Sequence, residues 1–103
     1  MSYPWTSYAV AHAYEAEAAR YGVSAVARAE GGFMREYGRA GSARAMAARP
    51  LPPGVRGGAT WAQKRHGFVA RHLASYRAHP TYRRYLALLM WVYKPPGGPP
   101  PAC

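Results

Sequence analysis

Two stretches of the chain interleave cations with rings: KRHGFVARH at 64–72 and YRAHPTYRRY at 76–85. Lysine and arginine neutralise phosphates, while tyrosine and histidine stack on exposed bases or sugars, so the chemistry available here is recognition of a polyanion. Lys64, Arg65, Arg71, Arg77, Arg83 and Arg84 are the candidate nucleic-acid-binding residues. A plainer reading of the same pattern is that the tyrosines fill a core and the arginines form a solvated face. Bond-making chemistry lacks its inventory. Residues 37–103 contain no Asp or Glu, and Glu15, Glu17, Glu30 and Glu36 lie upstream on alanine-rich segments without the paired spacing of acid–base work. His66 and His72 do not share a helix face, and His72 and His79 lie two turns apart. With Cys103 as the single cysteine and the last residue, the pattern points to no metal site, no cofactor and no enzyme. The glycine-rich GVRGGAT lacks the Lys-Ser/Thr ending of a phosphate-cradling loop.

The charge is divided unevenly. Residues 1–36 carry three arginines against four glutamates, 3 − 4 = −1, whereas residues 37–103 carry eleven Lys and Arg and no acid, +11. A block without internal counter-ions is most stable beside a polyanion, which makes DNA or RNA the leading partner and an acidic protein surface the alternative. Compositional bias toward Ala, Arg, Gly and Pro is the plainer source of the excess, but it does not explain why the acids stop at Glu36. The longest apolar run, YLALLMWVY, is far short of the ~20 residues of a membrane span, and the opening residues lack the basic and apolar segments of a secretory signal. A cytoplasmic or virion-associated protein is therefore expected.

Positioning these residues requires helices. At 103 residues the chain is expected to form one all-α domain, a small bundle of three to four helices with a C-terminal helical hairpin. Residues 1–22 read as a peripheral N-terminal helix from Pro4 to Tyr21, with Val10, Tyr14, Ala18 and Tyr21 on one side. The core domain is 23–94. After Ser24 as a cap, a helix from about Ala25 to Tyr37 turns Val26, Phe33, Met34 and Tyr37 inward. Gly31-Gly32 either breaks it or admits a neighbouring backbone, and close packing is expected. Ser42 caps a short helix Ala43 to Ala48. The segment RPLPPGVRGG at 49–58 is a loop, its prolines and glycines denied ladder bonds, and its Arg56-Gly57-Gly58 reads as a connecting turn more readily than as one RGG unit.

Thr60-Trp61-Ala62-Gln63 is a capping box, with Gln63 reaching back to the Thr60 amide. It opens a third helix in which Trp61, Phe68, Val69, Leu73 and Tyr76 form one apolar arc. Arg65 and His72 fall within that arc. Either Arg65 snorkels past the core edge and His72 bonds a carbonyl, or the two form a buried cationic pocket. A buried Arg65 is expected to pair with Glu30 or Glu36. His79-Pro80 turns the corner and Thr81 caps a fourth helix, Tyr82 to Tyr93, too apolar to read bases in a helix-turn-helix manner. The third helix and the corner are thus the expected backbone-contacting face. Residues 95–103 are expected to form an extended proline-rich tail.

GGFMREYGRAGSARA and WAQKRHGFVARHLASYRAHPTYRRYLALLMWVYKP, together about residues 24–96, resemble a small, basic, functionally uncharacterised domain of bacteriophages and large DNA viruses. The resemblance implies a viral or prophage setting and carries over no catalytic residue. The combined expectation is a nucleic-acid-binding protein with little sequence preference; the alternative is a virion structural or host-directed module that docks on an acidic protein.

Overall fold

The computed structural model describes residues 3–101, and expectations about Cys103 lie outside them. Among the described residues every regular element is a helix: α1 Tyr8–Ala13, α2 Glu15–Arg20, α3 Ala25–Arg28, α4 Phe33–Ala40, α5 Ala43–Ala48, α6 Trp61–Ala78 and α7 Tyr82–Leu89. The fold is all-α, with α6 and α7 forming the hairpin against which α5 and α2 pack.

The elements are more finely divided than periodicity predicts. Ser7 caps α1 by accepting from the Val10 amide at 3.4 Å, and the chain breaks at Tyr14 before α2. The faces differ too, because Ala11 and Ala18 are buried while Val10 is on the surface. This N-terminal segment is not peripheral. Its small alanines admit close packing, Trp5 lies 5.7 Å from Phe33, and the Thr6 amide donates to the Val92 carbonyl at 2.9 Å.

The helix expected over 25–37 is broken at Gly31-Gly32. Gly31 takes the left-handed conformation, φ +81°. A Cβ on Gly32 would stand 2.1 Å from the Val26 carbonyl oxygen, so the glycine pair serves both of its possible roles, a break and a close approach. Ser24 is itself left-handed and caps nothing with its side chain, and Val26 is 82% exposed rather than inward.

The caps of the later helices form where the residue types place them. Ser42 accepts from the Ala45 amide, Thr60 from Gln63 and Thr81 from Arg84. Gln63, however, reaches one residue further back than expected, to the Ala59 amide at 2.6 Å. The 49–58 loop is not wholly without ladder bonds, since Pro50 and Thr60 form an antiparallel bridge that closes it at its base. Between them, the Leu51 amide donates to Ala59 and the Trp61 amide to Arg49.

Helix α7 ends four residues earlier than predicted. The chain leaves it through Met90 and Trp91 into Val92, whose φ of 57° is left-handed. The Val92 amide donates to Leu89 at 2.8 Å and the Tyr93 amide to Leu88 at 3.1 Å, the crossed pair of a Schellman-type helix end. Glycine is usual at that position; here a fully buried valine holds it. The tail is not simply extended either: Pro95 is buried, the chain bends at Gly97, and Pro100 and Pro101 return along the groove beside α6 and α7.

Candidate nucleic-acid interface

Helix α6 divides its cations between inside and outside. Arg65 is 1% exposed and is the only charged residue in the core among the described residues. No carboxylate meets it, contrary to the expected pairing with Glu30 or Glu36. Its guanidinium instead donates to four backbone carbonyls: Nε to Trp91 at 2.7 Å, Nη1 to Tyr3 at 2.8 Å, and Nη2 to Pro4 at 2.7 Å and Val92 at 3.0 Å. It also lies 4.1 Å over the Trp5 ring. Burial pulls its pKa down to about 10, which leaves it charged at neutral pH. Two of these carbonyls follow the end of α7 and two belong to the N-terminal segment, so converging carbonyl dipoles supply the negative charge that a glutamate was expected to give. Arg65 is thereby removed from the phosphate-contacting set. The Arg65–His72 pocket is removed with it, because carbonyl oxygens already fill the guanidinium's surroundings and His72 lies elsewhere, against Phe68.

Five cations border two cavities that meet at Phe68. On one side a cleft of about 240 Å³ is lined by Arg56, Gly57, Lys64, Gly67, Phe68 and Arg71. The loop is held here because Lys64 donates to the Arg56 carbonyl at 2.6 Å and because Gly57, at φ +126°, leaves room for the lysine stem. A Cβ on Gly57 would stand 2.7 Å from Lys64 Cγ. On the other side a cavity of about 980 Å³ opens between α6, α7 and the 21–24 turn, bordered by Phe68, His72, Arg83 and Arg84. Arg83 donates to the Tyr21 carbonyl and Arg84 to the His79 carbonyl at 3.2 Å, contacts that orient both without neutralising them. Arg77 is exposed on the last turn of α6 and borders neither cavity.

All four carboxylates are engaged elsewhere. Glu15 meets His12 at 2.9 Å, Glu17 meets Arg20 at 3.6 Å, and Glu30 and Glu36 share Arg39, with Arg35 and Arg49 completing the cluster. Among the described residues, Arg56, Lys64, Arg71, Arg77, Arg83 and Arg84 form no ion pair. The four glutamates thus pair with Arg20, Arg35, Arg39, Arg49 and His12, from both parts of the chain, and leave the α6–α7 set uncompensated.

Two features were beyond reach of the sequence. Arg56 is brought to Lys64 and Arg71 by the closure of the 49–60 loop, and only its RGG setting hinted at a role. Phe68, expected in the core, is half-buried and borders both cavities. Its spacing from Trp61 placed it on the apolar arc, but Gly67 beside it keeps that side of α6 open. No described group of three or more His, Cys, Asp or Glu is arranged to hold a metal ion, and no described helix is long and apolar enough to cross a membrane. The chain matches no known protein family, and neither a curated protein nor a solved structure is similar to it.

Proposed function

We propose that this is a small nucleic-acid-binding protein that grips phosphates with little sequence preference, in the phage-like setting its sequence resemblance implies. Arg56, Lys64 and Arg71 on one side of Phe68, and Arg83 and Arg84 on the other, make the contacts; Arg77 adds one at the end of α6. The observation that carries the reading is the separation of charge: every carboxylate is taken up by Arg20, Arg35, Arg39, Arg49 or His12, while cations bordering two adjacent cavities have no counter-ion. Such a surface attracts a polyanion and releases its condensed counterions.

Fluorescence titration of a DNA duplex across low to moderate salt tests it. Six phosphate contacts give a slope of log K against log salt of about −5.4, at about −0.9 per contact. No binding at low salt, or a slope near zero, overturns the proposal. The alternative, docking on an acidic protein surface, is favoured by the exposed Val26 and by the prolines along the larger cavity. Nuclease treatment separates the two, since a complex recovered from cells survives it only if the partner is protein.

A further inference from the structure

Four rings form one column through the molecule. Phe33 stacks on Trp91 at 4.6 Å between centroids and 27° between planes; Trp91 stacks on Phe68 at 4.5 Å and 22°; Phe68 stacks on His72 at 3.8 Å and 19°. Phe33 and Trp91 are buried, Phe68 and His72 half-buried. The column therefore runs from the core to the surface, and its last ring borders the 980 Å³ cavity whose edge carries Arg83 and Arg84. Burial and the neighbouring Arg71 hold the His72 pKa below the ordinary histidine value, which keeps the ring neutral at physiological pH. Packing of Phe68 against Trp91 fixes the plane that His72 continues.

We infer that the outer end of this column is a stacking site for an unpaired nucleobase, so that the protein prefers single-stranded nucleic acid to duplex. The inference rests on the phosphate-gripping reading and narrows it to a substrate class. Bases in a duplex are already stacked on their neighbours and present no free face, whereas each base of a single strand does. Charge complementarity selects this occupant over a lone aromatic side chain. A base seated against His72 places its own backbone within the cavity that Arg83 and Arg84 border, and the strand continues past Phe68 toward Arg56, Lys64 and Arg71. The mostly apolar wall that remains, which includes Pro100 and Pro101, suits the faces and edges of bases without reading their hydrogen bonds. Sequence tolerance follows, because every base offers a π face.

The test uses the full chain and four fluorescent probes of about 12 nucleotides, a typical site size: oligo-dT, oligo-U, an abasic single strand and a DNA duplex, all at about 50 mM salt. Oligo-dT and oligo-U are expected to bind more tightly than the duplex and the abasic strand, and a difference between the first two reads DNA against RNA at the same site. His72→Leu is expected to weaken oligo-dT roughly five- to a hundredfold, the range for loss of one stacked base, with duplex affinity changed less than about twofold. His72→Tyr, planar again, restores the preference; circular dichroism melts establish that both variants fold. Equal affinity for oligo-dT and the abasic strand, or equal losses for duplex and single strand in His72→Leu, overturns the stacking site while leaving phosphate gripping intact. Absence of binding to every probe, with binding to an acidic peptide, overturns both.

Discussion

Replacing Arg65 with methionine tests the most unusual feature of the core. The substitution keeps length and apolar stem while removing every donor. All four carbonyls lose their Arg65 bond, but Val92 keeps the Thr6 amide at 2.9 Å, which leaves those of Trp91, Tyr3 and Pro4. An unsatisfied buried acceptor costs about 1–3 kcal/mol. The Tyr3 and Pro4 carbonyls lie on a partly exposed segment that water reaches, so a total of about 4–5 kcal/mol is reasonable for the three. Loss of the cation over Trp5 adds about 1 kcal/mol. Against this, methionine removes the penalty of burying a guanidinium without a carboxylate. The fall of the Arg65 pKa to about 10 corresponds to roughly 3 kcal/mol of that penalty. The net loss is then about 2–3 kcal/mol, a large part of the roughly 5–15 kcal/mol that holds a domain of this size, and it lowers Tm by about 8–24 °C. Urea titration followed by circular dichroism measures it. A midpoint equal to or above that of the wild type would show that the charge burial outweighs the four carbonyl bonds and refute the clamp.

Other outcomes follow from the same structure. Tyr82 donates to Glu17 at 2.8 Å and its pKa is pushed up to about 12, first by burial and then by Glu17. Because the folded-state pKa lies above the unfolded one, its contribution is complete below about pH 10 and is lost as pH rises toward 12; Tyr82→Phe should lower stability by about 1 kcal/mol at pH 8 and flatten the alkaline decline in pH-dependent melts. His72 shifts in the opposite sense, lowered by burial and by Arg71, with Arg83 and Arg84 bordering the same cavity. The unfolded chain therefore takes up its proton first, and stability declines as pH falls below about 6.5; His72→Gln should make the slope between pH 5 and 7 shallower, and an unchanged or steeper slope contradicts the assignment. Gly32→Ala sets a Cβ 2.1 Å from the Val26 carbonyl oxygen, against which backbone has little room to move, whereas a Cβ on Gly31 meets nothing within 4 Å. Thermal melts should show a loss of more than about 2 kcal/mol for Gly32→Ala and about 1 kcal/mol, the left-handed strain alone, for Gly31→Ala. Gly57→Ala should displace the Arg56 loop from Lys64 and weaken nucleic-acid affinity with little change in Tm, because the loop is exposed while the Cβ would strike the lysine stem.

The sequence by itself determined the helical class, the three side-chain caps at Ser42, Thr60 and Thr81, the corner at Pro80 and the confinement of acids to the first third of the chain. These are properties of adjacent residues: a hydroxyl reaches an amide three positions on, a proline excludes helix from the residue before it, and charge sums along the chain. Only the tertiary structure decided where Arg65 goes, that Val92 ends α7 in a left-handed turn, that Trp5 and the N-terminal segment belong to the core, and that Arg56 joins Lys64 and Arg71. Each of those depends on groups more than twenty residues apart or on a loop closing, and periodicity carries no information about which carbonyls another element will present. Arg65 makes the reason plain. Its place on the apolar arc of α6 left snorkelling and burial both open, and the carbonyls that receive it exist as a cluster only once α7 has ended and the first residues of the chain have crossed over it.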